Sequence, residues 1–109
     1  MLKEKIDRLR AKNLIFQNVQ SVDPKACGVK KRLDILKCVD ASSYYHLILF
    51  IEAKSRFLQK NAREIEAVFN ACRDHFGHNI KYKTIFIANG LCSKAKELLQ
   101  NNDWKVYNE

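Results

Sequence analysis

Apolar residues recur along this chain at two periods, near four and near two, and the switches between them mark its elements. Leu2, Ile6 and Leu9 keep helical spacing among Lys3, Lys5, Arg8, Arg10 and Lys12, and predict a first helix. LIFQNVQSV (14–22) is rich in β-formers, and DPKACG (23–28), with the only proline, follows it as a turn. RLDILKCVD (32–40) and HLILFIEAK (46–54) read as two strands joined by the polar link ASSYY, the pattern of a hairpin. Ala62, Ile65, Val68, Phe69, Cys72 and Phe76 keep helical spacing up to Gly77, which supplies the stop. YKTIFIA (82–88) predicts a strand. Ser93 is placed to cap a helix with Ala95, Leu98 and Leu99 on its apolar side, and WKVY (104–107) predicts a last short strand.

The predicted order is α-β-β-β-α-β-α-β. It implies an α/β fold with one mixed central sheet flanked by helices on both faces, in a single domain over residues 1–109. A hydrophobic fraction of 47% is enough for a packed core and argues against disorder. There are no internal repeats, linkers or low-complexity segments.

Charge narrows the functional class. Lys and Arg number 20 against 12 acids, a net charge of +8, which favours polyanions and nucleic acid first among them. A merely solvated basic surface is the plain alternative. The four cysteines lie far apart with no CxxC pair, MLKEKIDRLR is charged from its third residue, and no apolar stretch has transmembrane length. An intracellular chain with reduced, mostly buried thiols is therefore expected, in the cytoplasm, with a nucleoid, or in the host cytoplasm if viral, and without a membrane partner. Cys72, His75 and His78 lack the spacing of a structural zinc site, and Gly77 interrupts their helix.

The hairpin carries the chemistry. With its loop centred near Ser43, antiparallel pairing sets Val39 opposite Leu47, Cys38 opposite Ile48, Leu36 opposite Phe50 and Asp34 opposite Glu52. Lys54, two residues past Glu52, points to the same face. Adjacent carboxylates repel, and a divalent cation makes the arrangement tolerable. Mg²⁺ suits it, taking one or two carboxylates and keeping waters beside a substrate phosphate. A lysine next to the attacking water can orient it and neutralise phosphate charge. Asp34, Glu52 and Lys54 thus suit phosphodiester hydrolysis. A salt bridge of Lys54 with either acid at a strand end is the purely structural reading.

RLDILK followed by HLILFIEAKSR resembles the D…(D/E)-x-K signature of the PD-(D/E)XK nuclease superfamily, the restriction-endonuclease-like fold. That family's α-β-β-β-α-β core covers nearly the whole predicted order. The resemblance implies a metal-dependent endonuclease acting on DNA, with Asp34 and Glu52 as metal ligands, the Ala53 carbonyl as a further one, and Lys54 as the catalytic lysine. Mg²⁺ is the implied cofactor, with Mn²⁺ able to substitute. The small size and the ACGVKKRLDI approach are similar to archaeal Holliday-junction resolvases and their viral or Mrr-like relatives, which implies selectivity for branched DNA. Leu33 stands where the family's name has proline. Members that add an acid from the first helix direct attention to Glu4 and Asp7, and a polar residue after the motif directs it to Gln59. Asp40 is a rival first acid, but the expected register sets it opposite His46.

Lys30, Lys31 and Arg32 lead into Asp34. Ser55 and Arg56 follow Lys54, and Lys60 and Arg63 begin the next helix, so phosphate contacts are expected on both sides. Tyr44 and Tyr45 either touch nucleic acid or pack within the turn. No recognition helix or stacking ladder is legible, so shape-selective or sequence-tolerant binding is expected, to DNA with RNA left open. A homodimer would supply the second site needed to cut both strands. A non-catalytic nucleic-acid-binding protein of the same fold is the alternative reading.

Overall fold

The computed structural model describes residues 2–11, 16–28, 33–52, 57–77, 80–88 and 90–108. Its elements are α1 (Leu2–Ala11), β1 (Asn18–Val22), a 3-10 turn (Pro24–Cys27), β2 (Asp34–Val39), β3 (Tyr45–Glu52), α2 (Gln59–Phe76), β4 (Tyr82–Ala88), α3 (Ser93–Asn101) and β5 (Trp104–Asn108). The α-β-β-β-α-β-α-β order is the one read from the periodicity. The five strands form one mixed sheet in the order β1-β2-β3-β4-β5. β1, β2 and β3 are antiparallel neighbours, while β3, β4 and β5 run parallel. Parallel neighbours need a crossover, and α2 and α3 supply the two.

Strand alternation sorts the side chains to two faces. Ile35, Leu47, Leu49, Ile51, Ile85 and Ile87 pack under α2 and α3 through Ala62, Ile65, Val68, Phe69, Ala95 and Leu99. Leu36, Cys38, Ile48, Phe50 and Phe86 face the other way and are covered by Leu9 of α1. Both faces of β3 are therefore buried, which accounts for its unbroken LILFI run. Phe50, Phe86 and Tyr107 stack across three strands on the α1 face, with ring centroids 4.8 and 4.9 Å apart.

Glycine and the caps end the helices as local chemistry requires. Gly77 closes α2 in the left-handed region at φ 70°, its N–H donating to the Arg73 carbonyl. Ser93 is the first residue of α3 rather than its cap; Cys92 takes the cap position in extended backbone, with no side-chain hydrogen bond. Among the described residues no helix is long and apolar enough to cross a membrane.

The cysteines follow the core. Cys27, Cys38 and Cys72 are buried, and Cys92 is partly exposed. Burial pushes the Cys38 thiol up to about 12, and the Cys72 thiol likewise, with a Cys27 hydrogen bond adding to the effect. Thiol labelling of the native protein near pH 8 is expected to modify Cys92 quickly and the other three only on unfolding; peptide mapping reads this directly. Phe86→Ala, which removes the middle ring of the stack, should lower the stability measured by urea unfolding by about 3–5 kcal/mol.

Candidate functional site

β2 starts at Asp34 and its antiparallel neighbour β3 ends at Glu52, so both acids lie at one end of the sheet. The register differs from the expected one. Asp34 pairs with Phe50 rather than Glu52, Leu36 with Ile48, and Val39 with Tyr45. The shift is two residues, and side chains alternate with period two, so no residue changes face. Asp34 shares the α1 face with Leu36 and Cys38, and position 52 shares it with Ile48 and Phe50. The acids are therefore diagonal neighbours, with backbones about 7–8 Å apart instead of directly opposed. The longer glutamate lies on the strand end that extends past Asp34.

The reason for the shift lies in the loop. Asp40 ties the hairpin tighter than a link centred on Ser43 would. Its Oδ1 accepts the N–H groups of Ser42 and Tyr44 at 2.9 and 3.0 Å. Its N–H donates to the Tyr44 carbonyl at 3.1 Å, and Ser43 turns through φ 67°. The His46 Nε2–H donates to Asp40 Oδ2 at 2.8 Å. Asp40 is thus spent on the turn, at the opposite end of β3 from Glu52, and is no rival for the acid pair.

Asp34 is exposed. Position 52 has Ala88 beside it on β4, the smallest side chain available in a strand other than glycine. The side chain of Glu52 lies outside the described residues, as do Ala53, Lys54, Ser55, Arg56, Lys30, Lys31 and Arg32. Pairing resumes at Phe57, bridged in parallel to Leu91, with Phe57 N–H donating to the Gly90 carbonyl at 2.8 Å. From the Glu52–Ala88 pair to that bridge, the β3 side has five residue steps and the β4 side three. The segment holding Ala53 and Lys54 thus carries two residues more than its neighbour needs.

α2 opens directly after this segment. Gln59, Lys60 and Arg63 are exposed in its first two turns, and Asn61 Oδ1 accepts the Leu58 N–H at 3.0 Å to fix the start. On α1, Asp7 is exposed, and position 4 falls one helical turn before Arg8, its side chain outside the described residues. Arg8 was legible only as one of several basic residues. The structure sets its guanidinium 4.9 Å from the centroid of Phe50 and 5.4 Å from that of Phe86. Phe50 is the residue opposite Asp34, so a cation stands at the acid end of the sheet. Only the packing of α1 on this face, which periodicity does not give, distinguishes Arg8 from its neighbours. Cys72 is buried and His75 exposed, and His78 lies outside the described residues. Among the described residues, no three His, Cys, Asp or Glu side chains gather as a ligand cluster.

No protein-family model and no curated protein matches the chain in sequence. Solved structures match it in fold. EndoMS in its apo form superimposes at a TM-score of 0.59 with 10% identity, over 98% of this chain and 45% of that one. An EndoMS complex with double-stranded DNA gives 0.55 and 13%, over 98% and 43%. A repair endonuclease from Pyrococcus abyssi gives 0.56 and 11%, over 100% and 46%. The chain shares its mixed α/β fold with these proteins, and it spans a little under half of their length.

Asp40 gives a pH-dependent expectation. Its carboxyl is held below its ordinary 3.8, first by the His46 hydrogen bond, which outweighs desolvation, and then by the Tyr44 and Ser42 amides. A carboxyl depressed in the folded state adds stability that is complete above the unfolded value and fades as pH falls through the folded one. Asp40→Asn should therefore unfold at lower urea than the parent at about pH 6, with the gap closing toward about pH 3. Parallel urea titrations at the two pH values check this.

Proposed function

We propose that this chain is a metal-dependent endonuclease that hydrolyses DNA phosphodiesters, with Asp34, Glu52 and Lys54 as its catalytic set. The observation that carries the reading is the meeting of Asp34 and position 52 on one face and at one end of a sheet whose fold is shared with repair endonucleases. Two hard oxygen donors as diagonal neighbours, one on a long side chain, fit a small divalent ion. Asp34 and Glu52 would hold Mg²⁺, or Mn²⁺ in its place, with the Ala53 carbonyl beside them. When bound, the ion supplies Lewis acidity to the scissile phosphate and lowers the pKa of a coordinated water.

The other roles fall to the chain itself. Lys54 orients the attacking water and offsets charge on the phosphorane-like transition state. Attack forms one phosphorus–oxygen bond as the bond to the leaving oxygen breaks; the water's proton passes to solvent, and the leaving oxygen takes up a proton from solvent. Arg8 adds a fixed positive charge at the acid end, easing repulsion between the carboxylates. Lys60 and Arg63, exposed in the first turns of α2, contact the phosphate backbone, as do Lys30, Lys31, Arg32, Ser55 and Arg56. Contacts of this kind track backbone shape rather than base sequence, which suits branched or otherwise distorted DNA. A second copy of the chain would provide for the second strand.

The test uses purified protein with duplex, single-stranded and branched DNA, with and without Mg²⁺ or Mn²⁺, resolved on denaturing gels. Cleavage should require the metal and fall by about 100-fold or more in Asp34→Ala, Glu52→Ala and Lys54→Ala. Cleavage that survives all three substitutions would overturn the site, and metal-independent binding without cleavage would support the non-catalytic reading. Lys60→Gln and Arg63→Gln should each weaken DNA binding at low salt and reduce the salt slope by about one.

A further inference from the structure

At the far end of β3 from the acid pair, the α1 face ends in an aromatic surface that the reading above does not use. Tyr44, His46 and Tyr82 share that face, since His46 pairs with Tyr82 in the parallel ladder and lies two residues before Ile48. Most large apolar side chains here are buried, yet Tyr44 and Tyr82 are 43% and 42% exposed. Their ring centroids are 6.1 Å apart and nearly perpendicular.

Each ring is held from within the protein. His46 stacks on Tyr82 at 4.5 Å, and Phe16 meets the His46 ring edge-on at 4.8 Å. The Lys81 ammonium stands 3.6 Å from the Tyr44 centroid and 5.6 Å from that of Tyr82. Lys81 is fixed at its backbone, where its N–H donates to the Tyr45 carbonyl at 3.0 Å. Asp40 anchors the loop that presents Tyr44, and its carboxylate is engaged by His46 and two amides. The arrangement is a preorganised pair of aromatic rings sharing one cation.

We propose that Tyr44, Lys81 and Tyr82 form a stacking platform for unpaired nucleotides, on the same sheet face as Asp34 and Glu52 and at its opposite end. Rings that keep more than two fifths of their surface open beyond these internal contacts offer area for a base to stack on, and the shared ammonium offers a phosphate contact beside them. Bases in an intact duplex keep their faces stacked on one another, so the platform selects single-stranded segments. The charge of +8 matches a polyanion. Seven residue steps along β3 separate Tyr45 from Glu52, about 23 Å, or about seven base-pair rises. A substrate with an unpaired stretch that far from the scissile bond would reach both places at once. The inference rests on the nucleic-acid part of the reading above and not on cleavage.

The experiment is fluorescence anisotropy with a labelled oligothymidylate and a blunt duplex of equal length, in chelator without divalent metal. Tyr44→Ala and Tyr82→Ala should each weaken single-strand binding about fivefold or more, the low end for loss of one base–aromatic stack. Duplex binding should stay within about twofold, Tyr→Phe at either position should restore the affinity, and Lys81→Gln should lower the salt slope by about one. Equal affinity of the alanine variants and the parent for the single strand, or equal losses on both DNAs, would overturn the proposal. Photo-cross-linking of the unsubstituted protein to an iodouracil-bearing oligonucleotide removes any dependence on variant folding. Adducts on Tyr44 or Tyr82 support the platform, and adducts confined to other peptides overturn it. Absence of binding to either DNA by the parent would instead remove the nucleic-acid reading on which this one rests.

Discussion

The double burial of β3 is the constraint from which the rest of the molecule follows. A strand covered on both faces must place every residue against something, and Leu47 through Ile51 do so with almost no exposure. One set of its side chains needs α2 and α3 above it, and the other needs α1 below. Its two edges need partners of opposite sense, antiparallel β2 on one side and parallel β4 on the other. β3 ends at Glu52, directly after the buried run Leu47–Ile51. Asp34, at the matching end of β2, is exposed, so its carboxylate costs little in desolvation while its backbone stays in the sheet.

Much of this was readable from residue order. The eight elements, their sequence and the two-faced sheet follow from periodicity, because the core is made of side chains that alternate cleanly. The hairpin register was misread by two positions because the link between β2 and β3 is shortened by Asp40, whose several hydrogen bonds no pattern of apolar residues announces. The error left every residue on its expected face, which is why the acid pair survives it in diagonal form. Arg8 and Tyr82 were invisible for another reason. Their neighbours, Phe50 and Tyr44, come from elements distant in sequence, and only the packing of α1 and the parallel β3–β4 ladder brings them together.

The structural neighbours sharpen the same point. At 10–13% identity, little remains of any shared side-chain set, yet the superposition runs over nearly this whole chain. What persists is the arrangement of buried strands and covering helices, which tolerates wide exchange among apolar residues of similar volume. Those proteins are more than twice as long, so the fold seen here corresponds to one portion of each. A portion of this size can hold the proposed acid pair and lysine by itself, since all three lie on two adjacent strands and the segment following them.

Trp104 gives the molecule a built-in reporter. It is the only tryptophan in the chain and sits on the edge strand β5, 3% exposed. Its indole N–H donates to Glu66 of α2, its ring meets Phe69 edge-on at 5.8 Å, and Lys83 lies over it at 5.2 Å. Its emission therefore senses whether the sheet edge is seated on α2, on the face away from both the acids and the tyrosine pair. A change in that signal upon adding DNA would report on how β5 sits against α2, the helix whose first turns carry Lys60 and Arg63.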